Sequence, residues 1–201
     1  LEAPGLHDFL LTEEENSREA ETPGLIDYFT DLNNMLDKQI GLLNELKSGY
    51  KTLDEILPLK KYTVKPYKKG FDLIKAGSFH ANYVKTVVTF DWKKFFDRDL
   101  FSIFRELIKS CYDYCLIDSR TGLNDISGMS AMVMPDKLVL VFTPNNQSVA
   151  GITNFVNLVV QYRNELKDDY RPLSIFPLPS RIELTQSDQE VKWRSIYQQL
   201  F

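Results

Sequence analysis

Lys137-Leu138-Val139-Leu140-Val141-Phe142-Thr143-Pro144 is the stretch on which the reading of the whole chain turns. Its apolar run has no polar alternation and stops at a proline, as in a strand covered on both faces. Downstream, Ile152, Phe155, Val156, Val159 and Leu166 recur at helical spacing, and a second apolar run, Leu173 to Leu178, ends at Pro179. Upstream, Tyr114-Cys115-Leu116-Ile117 ends abruptly at Asp118. Before it, residues 98–110 place Leu100, Ile103, Phe104, Leu107 and Ile108 on one helical face, with Arg105, Glu106 and Lys109 outside it. Phe71 to Lys75 reads as a short strand ending at Gly77. Strands alternating with helices of this length predict an α/β fold, with a mainly parallel sheet flanked by helices on both faces in three layers.

The remainder is less regular. Residues 25–58 read as helical, with Thr52 as an N-cap before Leu53 and Pro58 closing the segment. Between Pro4-Gly5 and Pro23-Gly24 lie Glu13, Glu14, Glu15, Glu19 and Glu21, which read as a solvated acidic loop. The expectation is a single partial domain over 1–201, with a helical, loop-rich part over 1–70 and an α/β core over 71–201.

Composition agrees with one globular domain: 201 residues, 43% hydrophobic, net charge −4. Wholesale disorder is excluded by that apolar content. No apolar run reaches the roughly 18 residues of a membrane-spanning helix, and no secretory signal is visible, so a cytoplasmic protein is expected. Cys111 and Cys115, with only His7 and His80 to join them, make a poor zinc set. They read as small buried hydrophobes in a reducing compartment.

In open parallel sheets, ligands bind beyond the carboxyl ends of the strands. Here those ends are polar: Asp118-Ser119-Arg120-Thr121-Gly122, Thr143-Pro144-Asn145-Asn146-Gln147 and Pro179-Ser180-Arg181-Ile182-Glu183. If the strands are parallel, all three lie on one edge. A carboxylate ending an apolar strand is the layout that holds Mg²⁺ in phosphate-binding ATPases, although a strand-terminal Asp alone is more often a turn-former. Gly122 adds a position where a backbone amide can approach phosphate.

Tyr112 to Gly122 resembles the Walker B and switch II region of ParA/MinD-like P-loop ATPases, the deviant Walker A group of the SIMIBI class. Its Asp-Ser-Arg-Thr-Gly form is similar to a bacterial subgroup with a Lys-Gly-Gly-Val-Gly-Arg phosphate loop. That subgroup also carries Leu-Glu-Ala-Pro-Gly, the order of Leu1-Glu2-Ala3-Pro4-Gly5 here. The resemblance extends through Lys137 to Gly151 and Pro177 to Arg181 and is weakest over residues 10–65.

The resemblance implies an ATP- and Mg²⁺-dependent molecular switch that dimerises around nucleotide or engages a protein partner. Asp118 would be the metal-associated carboxylate and Gly122 the switch II glycine facing the γ-phosphate. Glu2, Pro4 and Gly5 would belong to switch I. Ser119, Thr121 and Pro144 would border the nucleotide, and Ser180 and Arg181 its base. Ser180 replaces the Asn usual there, which weakens the inference of strict ATP preference. Arg120 has two readings, a catalytic arginine or an ion pair pinning the switch loop.

No Gly-x-x-x-x-Gly-Lys-Ser/Thr occurs in the 201 residues. The chain is therefore expected to be an internal piece of a longer polypeptide, inactive as an ATPase by itself. The alternative is a non-catalytic nucleotide-fold scaffold or partner-binding module within a multidomain bacterial defence or signalling protein.

Lys60, Lys61, Lys65, Lys68 and Lys69, interleaved with Tyr62 and Tyr67, also offer a nucleic-acid reading through charge and stacking. A solvated loop is the commoner use of such a run, particularly in an acidic chain. Phe90, Trp92, Phe95 and Phe96 read as core or interface.

Overall fold

The computed structural model describes residues 6–67, 69–78, 82–119, 133–165 and 171–181, with residues 191 and 195 besides. The chain divides into two compact units, Leu1–Thr121 and Gly122–Phe201.

The first unit is helical: α1 Leu6–Leu10, α2 Glu13–Arg18, α3 Leu25–Lys38, α4 Leu42–Lys47, α5 Leu53–Ile56, a 3-10 turn at Leu59–Tyr62, α6 Tyr83–Thr89, α7 Trp92–Asp97 and α8 Leu100–Cys111. Its organiser is α3, whose buried face is Ile26, Tyr28, Phe29, Leu32 and Leu36. That spacing follows the helical period, so one stripe turns inward. Phe29 meets Phe95 at 4.5 Å and stands edge-on to Phe104 at 5.1 Å, while Tyr28 meets Tyr62 edge-on at 4.9 Å. Edge-to-face aromatic pairs add to the area they bury. The Tyr28 hydroxyl donates to the Leu57 carbonyl and that of Tyr62 to Asp31, so both buried phenols are satisfied. Burial and their surroundings push both phenols well above the ordinary tyrosine range.

Thr52 does cap α5: its hydroxyl accepts the Glu55 amide, and Glu55 accepts the Thr52 amide in return. Asp27 performs two tasks at the start of α3, accepting the amides of Gly24 at 2.8 Å and Ser78 at 2.9 Å.

The second unit holds β1 Lys137–Phe142, α9 Asn146–Glu165 and β2 Ser174–Pro179. The strands are parallel, with Lys137 opposite Ser174 and Phe142 opposite Pro179. Phe155 and Val159 of α9 pack on Leu140, with Leu138, Ile152, Val156, Leu173 and Ile175 around them. On the opposite sheet face Val139, Val141, Phe176 and Leu178 are exposed.

The expected three-layer fold with a mainly parallel sheet is therefore overturned. Among the described residues the sheet has two strands, helices dominate, and a helix covers one sheet face rather than both. Tyr114–Ile117 forms no strand and is exposed. Phe71–Lys75 contributes one antiparallel bridge, Val64 with Leu73. A four-residue apolar run satisfies a strand pattern without a neighbour to pair with, and pairing is what makes a strand.

Smaller expectations also change. The acidic stretch contains α1 and α2, and Glu15 within it is buried. Cys111 and Cys115 are exposed rather than buried. Arg105, read as outward-facing, is buried on α8 and pairs with Glu106 at 2.8 Å. The aromatic group at 90–96 does enter the core, with Trp92 and Phe95 buried beside Phe29.

Candidate functional site

The best-defined polar constellation lies at the carboxyl end of the β1–β2 pair. Parallel pairing in the observed register brings both strand ends to the same edge. The Ser180 amide donates to the Phe142 carbonyl at 2.7 Å, which places Ser180 beside the exit of β1. Thr143 follows Phe142, and its hydroxyl lies 3.1 Å from that of Ser148 and accepts the Asn145 side-chain amide at 2.7 Å.

Local sequence accounts for this arrangement. Pro144 ends the strand, having no amide hydrogen to continue it. The Asn145 carboxamide oxygen then accepts the Ser148 amide at 2.8 Å, and its carbonyl accepts the Val149 amide at 3.1 Å, as an N-capping residue does. Arg181 has a φ of 55°, in the left-handed region. Ser148 was not among the residues singled out from sequence. The signal for it was available, a capping Asn followed at the third position by a small hydroxyl residue.

The other sequence-derived site residues are distributed differently. Asp118 and Ser119 lie in the first unit, on an exposed segment without regular structure. Glu2, Pro4, Gly5, Arg120, Thr121 and Gly122 lie outside the described residues. Pro144, Ser180 and Arg181 lie in the second unit, on the edge just described. The structure thus brings together two of the three polar segments.

The donor set does not suit a resident metal ion. Among the described residues no three His, Cys, Asp or Glu side chains are placed to hold one. Mg²⁺ is commonly held by one or two carboxylates together with substrate phosphates and water, so the single carboxylate Asp118 would need a nucleotide to complete such a site.

The lysine-rich segment is only partly available. Lys60, Lys61, Lys65 and Lys69 are exposed, while Lys68 lies outside the described residues. Lys65 is 3.9 Å from Asp72, and the Lys69 ammonium donates to the Leu10 carbonyl. Tyr62, one of the two aromatics between them, is buried in the core. No described helix is long and apolar enough to cross a membrane.

Comparison of the chain with protein-family models, curated proteins and solved structures finds no match in any of the three.

Proposed function

We propose that this chain supplies the Walker B/switch II segment and the base-side edge of a Mg²⁺-ATP-dependent switch of the ParA/MinD type. The observation that carries the reading is the edge where Thr143, Pro144 and Ser180 meet at the carboxyl ends of two parallel strands, the position at which open α/β sheets take ligands. The motif over Tyr112–Gly122 and the Leu1–Gly5 segment support it from the sequence.

In this reading Ser180 and Arg181 border the base. Asp118 orients the water shell of the nucleotide's metal, and Gly122 lets a backbone amide reach the terminal phosphate. Bound Mg²⁺ would neutralise phosphate charge. Arg120 either meets transition-state charge or pins the loop. Glu2, Pro4 and Gly5 lie in switch I, while Ser119 and Thr121 flank the phosphates. No phosphate-binding loop motif occurs in these 201 residues; in this reading such a loop is supplied by a longer parent polypeptide, with nucleotide-dependent dimerisation as its output.

The test has two arms. The 201-residue chain alone is expected to show no ATP turnover. In the parent, Asp118→Ala is expected to reduce turnover on the order of 10²-fold, a usual loss for a group that stabilises developing charge. Turnover that survives Asp118→Ala unchanged refutes the reading.

A second reading, a partner-binding module without turnover, is favoured by a different observation. Tyr114 and Leu116 are 91% and 98% exposed, and such apolar surface commonly marks an interaction site. Under it, the parent shows no ATP turnover, and Leu116→Asp abolishes complex formation while Asp118→Ala leaves it intact.

A further inference from the structure

We propose that α1 and α2 form a latch that docks on the bridged segment Val64–Leu73 and opens as one unit, with the buried carboxylate of Glu15 as its catch. The apolar hold on this helix pair is small. α1 buries no residue, and α2 buries only Glu15. Between them Leu11 is the single buried apolar anchor, in a cluster with Val64 and Leu73 to which Leu10 adds a partly buried side chain. By contrast α3 buries six residues. A segment with so little apolar burial sits at the low end of local stability, so its polar contacts decide whether it stays docked.

Those contacts converge on the bridged segment and the stretch just after it. Glu15 is 5% exposed. One of its oxygens accepts the Tyr67 amide at 2.5 Å, and the other accepts the amide and hydroxyl of Thr12 at 2.8 and 3.0 Å. Glu15 therefore joins the cap of its own helix to the backbone of a distant segment. Lys69 reaches back to the Leu10 carbonyl. At the far end of the pair, Lys75, itself 4% exposed, donates to the carbonyls of Glu19 at 2.6 Å and Ala20 at 3.2 Å. The Glu15 and Lys75 contacts are charge-assisted and partly buried, so loss of a partner there leaves a buried group unsatisfied, whereas the Lys69 contact is exposed and adds little. Opening would uncover Val64 and Leu73 and free the chain up to Gly24.

The latch does not depend on the nucleotide reading. Hydrogen–deuterium exchange on the 201-residue chain at neutral pH tests it. In the unsubstituted protein, the hydrogen-bonded amides between residues 10 and 18 should exchange through a shared opening that is more frequent than the opening of α3 and less steeply dependent on denaturant, because it exposes less surface. Glu15→Gln turns an amide NH₂ toward the Thr12 amide or removes the acceptor for Tyr67. It should speed exchange of the hydrogen-bonded amides between residues 10 and 18 at least about ten-fold, leaving α3 and α8 unchanged. If residues 6–18 open only together with α3, the latch is refuted without any variant. Glu15→Gln exchange that is unaltered, or faster uniformly across α3 and α8, also overturns it.

Discussion

Gly24 shows how closely one residue can be specified. It precedes α3, where its amide bonds to Asp27 and the next amide, of Leu25, bonds to the Lys75 carbonyl at 2.8 Å. A Cβ at Gly24 would stand 2.5 Å from the Gly77 nitrogen and 2.6 Å from its Cα. Those are backbone atoms and cannot rotate aside. Gly24→Ala is therefore expected to cost about 1–3 kcal/mol, the usual range for overpacking, and to lower the urea midpoint. An unchanged midpoint would show that the two segments do not approach so closely. At the same scale, several carboxyls are held below their ordinary range: Glu15 by the Thr12 and Tyr67 amides, Glu19 by Thr22 and Arg18, Asp37 by Lys94 and Arg98, and Glu55 by Thr52. A carboxyl depressed on folding stabilises fully above its unfolded value, near 4 to 4.5, and that contribution is lost as pH falls through the lower folded value. Thermal melts are expected to hold steady from about pH 7 to 5 and to drop steeply below about pH 4, with a shallower acid slope in Glu15→Gln.

At the scale of elements, β2 carries a device that its composition only hints at. The Ser174 and Ser180 amides donate to the Asp136 and Phe142 carbonyls, so even-numbered residues of β2 face β1 and odd-numbered ones face the other edge. Pro177 and Pro179 therefore fall on the side of β2 away from β1, the outer edge among the described residues, where neither can offer an N–H to another chain. The double substitution Pro177→Val, Pro179→Val should restore two donors beside an exposed Phe176 and Leu178 and promote self-association, visible as a larger sedimentation coefficient. A variant that sediments like the parent chain would argue that this edge is protected by something other than proline. The helices α8 and α9 were legible because each repeats the helical period over ten residues or more, and the two strands because each is an apolar run of about six residues stopped near a proline. Tyr114–Ile117 misled for the converse reason. Four apolar residues fit a buried strand, but no local feature states whether a pairing partner exists. Glu15 misled in another way: a carboxylate among other glutamates looks solvated until Tyr67, 52 residues away, supplies its donor.

At the scale of the whole molecule, long-range pairings of this kind explain why the overall architecture was not legible although most helices were. They also alter how charge should be read. The chain is acidic, at −4, and its basic cluster is embedded in that field. Two of its lysines are engaged, Lys65 with Asp72 and Lys69 with the Leu10 carbonyl. Tyr62 cannot stack on a base, because its ring lies against Tyr28 in the core and its hydroxyl donates to Asp31 at 2.6 Å. Among the described residues, what is left at the surface is chiefly Lys60 and Lys61 with Tyr67, a small footprint for an interaction whose affinity grows with the number of phosphates neutralised. Binding to single-stranded DNA or RNA is therefore expected to be no tighter than the weak, nonspecific range of about 10⁻⁴ M at physiological salt, and to be unaltered in rank among sequences. Fluorescence anisotropy with a labelled oligonucleotide over a salt series measures this. Micromolar binding that is lost in Lys60→Glu, Lys61→Glu would instead show that the local cluster overrides the acidic field of the molecule, and would make this face a nucleic-acid contact.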